Sequence, residues 1–177
     1  DEFCEDFVAK AIFANGMYEN KYPLLSALSR PAICRHLVKV AQAEGAVAIA
    51  HGCTGKGNDQ VRFELECKAL DPTLEILGPV RSWELTTRSS EIEYAQSHGI
   101  PVDATKENPY SIDENVWGRA IECGVLENPW NSAPDGAWSL TVNAEDAPDE
   151  ARDIVIGFEA GLPVSIDGQR MKLYDRG

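Results

Sequence analysis

The stretch that decides the fold is Ala46-Val47-Ala48-Ile49-Ala50, which runs directly into His51-Gly52-Cys53-Thr54-Gly55-Lys56-Gly57-Asn58-Asp59. A continuous run of small and apolar residues reads as a strand buried on both faces, the kind found in parallel sheets. Val61 to Leu70 follows. Val61, Phe63, Leu65 and Cys67 alternate as a strand would, while Phe63, Cys67 and Leu70 fit helical spacing. The Glu, Lys, Ala and Leu content favours a helix, with Asn58 or Asp59 as its cap. Strand, Gly-rich loop and helix is the layout of an anion or nucleotide site at the carboxyl end of a parallel sheet. A tight strand-to-helix turn is the plainer alternative.

Working outward, Phe3, Phe7, Val8, Ala11 and Ile12 mark one face of a helix ending near Gly16. A second helix is expected with Ser29 as N-cap, Pro31 in the first turn, and Ile33, Leu37, Val40 and Ala41 as its apolar stripe before Gly45. Leu74 to Leu77 reads as a further strand, and Ser89 or Ser90 opens a helix that stops at His98-Gly99. This is the rhythm of an α/β layered sheet, parallel and doubly wound. From about residue 101 prolines punctuate short runs, and Asp153–Phe158 and Leu162–Ile166 read as two strands joined by a Gly-containing turn. A composition boundary near residues 99–110 divides the chain into residues 1–105 and an α+β domain over 106–177.

The 177 residues are 44% apolar and 25% charged, as in ordinary globular domains. No apolar run is long enough for a membrane span, and the acidic start is unlike a secretory signal, so neither is expected. With 16 basic and 29 acidic side chains, net −13, general affinity for nucleic acid or anionic lipid is disfavoured. Residues 1–100 hold 10 of the basic and 14 of the acidic groups, which places an anion site in that half by preference. Five widely spaced cysteines and three scattered histidines give neither a disulfide framework nor a recognisable metal site, and a reducing compartment is expected. The start without Met and the abrupt end suggest a piece of something longer.

The loop departs from a Walker A motif, since Ala50 stands where Gly is needed and Gly57 where Ser or Thr would follow the Lys. The spacing of Gly52, Gly55 and Gly57 is not that of a dinucleotide fingerprint either. Its polar crowding is distinctive: Thr54, Lys56, Asn58, Asp59 and Arg62 offer groups of both charges, as a zwitterionic amino acid would use. Each has a bland reading as well, Asp59 as a cap and Arg62 as a solvated helix residue. Cys53 has no evident base and reads poorly as a nucleophile, and His51 reads as a packing residue. The four tryptophans, Trp83, Trp117, Trp130 and Trp138, read as core or interface.

His51 to Glu64 resembles the G-x-T-x-K-G-N-D-x-x-R-F signature of argininosuccinate synthases at every fixed position. The likeness extends to Tyr18–Pro31, His98–Pro101, Asn108–Asn115 and Gly124–Pro129. It implies a nucleotide-binding domain of the adenine nucleotide alpha-hydrolase type followed by part of a synthetase domain. It also implies ATP-dependent ligation of citrulline and aspartate to argininosuccinate, AMP and pyrophosphate through a citrullyl-adenylate, in arginine biosynthesis and the urea cycle. ATP as substrate, with its Mg2+, a homotetramer and a cytoplasmic location are implied too.

By the same resemblance, Thr54, Asn58 and Asp59 bind aspartate. Tyr22, Ser26, Asn58, Arg62 and Ser111 bind citrulline, and Gly52 lies on the ATP side. Without it, Tyr22 reads as a packing residue and Ser111 as a turn or cap. Ala27 and Ala120 stand where some relatives carry citrulline-contacting serines. The family's Ser-Gly-Gly-x-Asp-Thr-Ser pyrophosphate loop has no counterpart in these residues, and its later citrulline-binding Glu and Tyr are missing, so the segment alone is expected to be inactive. A non-catalytic binding or oligomerisation fragment, and another ATP pyrophosphatase acting on a different carbonyl, are the competing readings.

Overall fold

The computed structural model describes residues 1–55, 57–101, 110–138 and 140–175. Lys56, and the stretch 102–109 where the composition changes, lie outside the described residues. The chain divides into two compact units, Ser26–Asn108 and Asp1–Leu25 together with Pro109–Gly177.

The unit Ser26–Asn108 is built on helix α2 (Leu25–Glu44), strand β1 (Ala48–Ala50), helix α3 (Asp59–Leu70), strand β2 (Glu75–Leu77) and helix α4 (Arg88–Ser97). β1 and β2 pair in parallel, with Ile49 opposite Ile76. Cys34, Val38 and Ala41 of α2, Ile49, Cys67 of α3 and Leu74 form one buried cluster, with Leu37, Phe63 and Ile76 packed against it. A strand side chain points to one face only, so both helices cover the face that carries Ile49. On the other face Ala48 is half-buried and Ala50 is exposed. The expectation of a strand buried on both faces is therefore corrected: β1 is buried on one.

Periodicity settles the ambiguous stretch. In α3 Cys67 is buried, whereas Val61 and Leu65, which would share a strand face with Phe63 and Cys67, are 51% and 66% exposed. Helical spacing separates Val61 and Leu65 from Phe63 and Cys67 by about half a turn, so the first pair leaves the core while the second faces it. The cap differs from expectation. Asn58 holds the N-cap position in helical conformation with no side-chain cap hydrogen bond, and Asp59 is already helical.

α2 also differs. It starts at Leu25, so Ser29 is no N-cap and Pro31 lies inside the helix. The Ser29 hydroxyl instead donates to the Ser26 carbonyl at 2.8 Å. The helix reaches back because Leu25 is anchored: its carbonyl accepts from Asn115 Nδ2 at 3.0 Å and its side chain is 5% exposed. The buried stripe is Cys34, Val38 and Ala41, while Ile33 and Val40 are 41% and 60% exposed. Two adjacent rows of α2 are apolar, and the row that meets Ile49 and Cys67 is the one that faces inward. α4 begins one or two residues before the expected serines, with Thr87 as cap in a reciprocal capping box with Ser90.

In the other unit, a π-helical segment, Cys4–Val8, continues into α1 (Ala9–Phe13), which packs against a three-stranded antiparallel sheet. That sheet comprises β5 (Ile156–Glu159), β6 (Leu162–Ile166) and β7 (Gln169–Arg170), in that order. The expected hairpin over these strands is present, turning at Ala160-Gly161. A second hairpin pairs β3 (Ser111–Asn115) with β4 (Gly118–Glu122), whose polar sequence carries no clear strand signal. Asn115 Oδ1 accepts from the Trp117 and Gly118 amides at 2.8 and 3.3 Å, and Trp117 Nε1 donates to the Pro23 carbonyl at 2.8 Å. A Cβ on Gly118 would lie 2.7 Å from Leu25 Cδ2, so a larger residue there would require the Leu25 side chain to shift. Of the four tryptophans read as core or interface, Trp117 is partly buried, while Trp83, Trp130 and Trp138 are 41%, 93% and 49% exposed on this chain.

Val38 is 4% exposed at the contact of α2 with Ile49 and Cys67. Val38→Ala is expected to lower stability by about 1–3 kcal/mol in urea unfolding, and Val40→Ala on the exposed row by less than about 0.5 kcal/mol. Equal losses would mean the phase assigned to α2 is wrong.

Candidate functional site

The loop leaves β1 at Ala50, and the His51 amide still donates to the Leu77 carbonyl at 2.9 Å, extending the parallel pairing by one residue. It therefore starts where two parallel strands end, the position at which open α/β sheets hold ligands. The His51 ring is buried, with its side chain 5% exposed. It stacks on Phe63 with centroids 6.1 Å apart, and Nδ1 accepts the Cys53 amide at 3.2 Å. Its reading as a packing residue is borne out, and it also folds the first turn of the loop.

At the far end of the loop, Asp59 is gripped from both sides. Arg30 Nη2, from α2, donates to Oδ2 at 2.5 Å, and Arg62 Nη1, one turn along α3, donates to Oδ1 at 2.9 Å. Arg30 Nη1 donates in turn to Ser29 Oγ at 3.0 Å. A chain of hydrogen bonds thus runs from the Ser26 carbonyl through Ser29 and Arg30 to Asp59. Partial burial disfavours the Asp59 charge, but the hydrogen bonds and charges of Arg30 and Arg62 outweigh it and hold the carboxyl below the usual carboxylate range. An ionised carboxylate has about four lone-pair sites, and the two arginines occupy one on each oxygen.

Of the site residues named from sequence, Thr54, Asn58, Asp59 and Arg62 share this loop and the first turn of α3, with Gly52 at its start. Thr54 and Asn58 are exposed, and Asn58 spends nothing of its amide on capping. The space above Gly52 is open: a Cβ there would have no neighbour within 4 Å. Ser26, 8% exposed, sits in the first turn of α2. Tyr22 and Ser111 belong to the other unit. Tyr22 forms a bridge with Tyr18, and Ser111 opens β3 opposite Glu122.

Beside the loop lies a cavity of about 430 Å³ lined by Thr54, Gly55, Arg81, Trp83, Thr86 and Glu91 among others. Small-molecule sites begin at about this size. Burial and the neighbouring Asp59 charge push the Cys53 thiol up, with Arg30 only partly opposing them, so the thiol is not poised as a nucleophile. Among the described residues no three His, Cys, Asp or Glu side chains are grouped as a metal site. The sequence pattern does not single out Arg30, Glu64 or Arg81. Arg30 lies 29 residues before the carboxylate it meets, and no local pattern signals such a contact.

The family model described as "Arginosuccinate synthase N-terminal HUP domain" matches residues 1–101, and "Arginosuccinate synthase C-terminal domain" matches residues 110–176. The argininosuccinate synthase of Streptococcus thermophilus is 57% identical over 175 residues, which are 99% of this chain and 44% of the relative. That of Lactococcus lactis subsp. cremoris is 58% identical over 174 residues, 98% of this chain and 44% of the relative. That of Listeria monocytogenes is 57% identical over 173 residues, 98% and 43%. The chain spans less than half the length of these relatives. The matched blocks, the parallel strand pair and the Gly-rich loop together place the chain in the argininosuccinate synthase family.

Proposed function

We propose that the complete protein joins citrulline to aspartate at the expense of ATP. The observation that carries this reading is the loop itself: Thr54, Asn58 and Asp59 fall in the signature shared with the family and stand together at the carboxyl end of the strand pair. A ureido carbon is a poor electrophile, and esterifying its oxygen with AMP turns that oxygen into a leaving group. The citrulline ureido oxygen attacks the α-phosphorus and pyrophosphate departs. The aspartate ammonium gives up a proton to solvent, the free amine attacks the ureido carbon, the carbon–oxygen bond breaks, the nitrogen loses a second proton, and AMP leaves with the former ureido oxygen.

In this scheme the chain's own residues act by positioning and by placing charge. Asp59 offers its remaining lone pairs to the ammonium of aspartate, and Thr54 and Asn58 donate to the aspartate carboxylates. Arg62 pairs with Asp59 on one side and with the citrulline carboxylate on the other. Citrulline contacts from Tyr22, Ser26 and Ser111 extend the scheme, with Ala27 and Ala120 giving none. ATP brings its Mg2+ as part of the substrate and approaches over the open Gly52. Assembly as a homotetramer and a cytoplasmic location belong to the same reading.

The full-length protein should release pyrophosphate only when ATP and citrulline are both present. Release indifferent to citrulline would contradict the proposal. Asp59→Ala should raise the KM for aspartate by about 10- to 100-fold, a larger effect than on the citrulline-dependent pyrophosphate burst. A burst lost in parallel would assign Asp59 to the first step instead.

The lowered pKa of Asp59 also predicts a pH signature. A carboxyl whose folded pKa is lowered contributes stability above its unfolded value, about 3.9, and loses it as pH falls through the lower folded value. The stability difference between wild type and Asp59→Asn should persist from neutrality to about pH 4 and shrink below it. A difference constant from pH 7 to pH 2 would show that the ionised carboxylate is not what Arg30 and Arg62 hold.

A further inference from the structure

A second carboxylate, Glu64, stands one turn of α3 beyond the substrate residues and gathers partners from the ends of both strands. Its Oε1 accepts from Gln60 Nε2 at 3.2 Å, stands in an ion-pair contact 3.1 Å from Arg81 Nη1, and faces at 3.6 Å the buried His51 Nε2, which has no hydrogen-bond partner. His51 follows β1 and Arg81 follows β2, so one oxygen ties together α3 and both strand exits. Because Nδ1 of His51 accepts the Cys53 amide, a neutral ring carries its proton on Nε2, the nitrogen aimed at Glu64.

Arg81 reaches this position by lying across two glycines. Its Cγ would be 3.7 Å from a Cβ on Gly55. On Gly78 a Cβ would stand 2.9 Å from Arg81 Nε and 3.2 Å from His51 Cε1. A side chain at 78 therefore crowds Arg81 and His51 at once. None of Glu64, His51, Arg81 and Gly78 carries a role in the reaction derived above.

We propose that Glu64 is a positioning residue: by holding His51 and Arg81 it fixes the loop that presents Thr54, Asn58 and Asp59, and Gly78 is glycine so that this clamp can close. The proposal rests on the functional reading only for the identity of the ligand; the clamp itself is a statement about the loop. Partly exposed pairs of this kind add little to global stability, so the effect should fall on placement rather than folding.

The test uses the full-length protein with Glu64→Gln, which removes the charge, and Gly78→Ala, which leaves Glu64 intact but crowds Arg81 and His51. Amide hydrogen exchange in a peptide spanning residues 51–58 should accelerate by roughly tenfold in both. The aspartate KM should rise by on the order of tenfold, with kcat changed by less than about twofold. Arg81→Lys, which keeps a cation facing Glu64, should lose less than Arg81→Ala. Unchanged exchange in both variants would overturn the proposal, and so would a uniform loss of kcat accompanied by a lowered Tm. Accelerated exchange with an unchanged aspartate KM would support the clamp and contradict the assignment of aspartate to the loop.

Discussion

The site depends on the alignment of two helices. Arg30 meets Asp59, Cys34 Sγ reaches the Phe63 carbonyl at 3.9 Å, and Gln42 Nε2 donates to Asp71 at 2.9 Å, each pair 29 residues apart in sequence. A constant offset over three turns means that α2 and the α3 region run parallel, with matching residues side by side. Between the first and last of these contacts lie the buried thiols of Cys34 and Cys67, which hydrogen-bond to one another. Burial, reinforced by that hydrogen bond, pushes the Cys34 thiol up to about 12, so the pair is a neutral, packed contact rather than a reactive one. Because the register is set in this dry core, Asp59 is delivered to Arg30 as a consequence of packing.

Two carboxylates then divide the work on α3. Asp59, at its first turn, is oriented by arginines from its own helix and its neighbour, which keeps it charged and leaves lone pairs outward. Glu64, about one turn further, holds the strand exits. Neither cluster is a large source of stability, since both are partly exposed and exposed pairs are worth little. Their value lies in geometry: a ligase that works by placing an amine against an activated carbon gains from residues that cannot wander. The uncapped amide of Asn58 fits the same logic, because a side chain spent on capping would be withdrawn from a ligand.

What was legible in the sequence was local. The apolar run of β1, the Gly-rich loop, the helix after it and the hairpin of β5 and β6 each carry their signal within a few residues. The parallel pairing of β1 with β2 followed from that order. What was not legible was set by contacts distant in the chain. The rotational phase of α2 was misread because two adjacent rows are apolar and only Ile49 and Cys67 choose between them. Its start was misread because Leu25 is held by Asn115, 90 residues away, which outweighs the boundary suggested by Ser29 and Pro31. The β3–β4 hairpin is too polar to announce itself and is secured by Trp117 on Pro23. Among site residues, those within the loop could be named, whereas Arg30 and Arg81 reach their carboxylates from other elements.

The central claim, that this family member activates a ureido oxygen before an amine displaces it, is tested most directly by following that oxygen. Citrulline labelled with oxygen-18 at the ureido position, turned over by the full-length protein with ATP and aspartate, should transfer its label to the phosphate of AMP. Label that appears in pyrophosphate, or is lost to water with unlabelled AMP, would contradict the account.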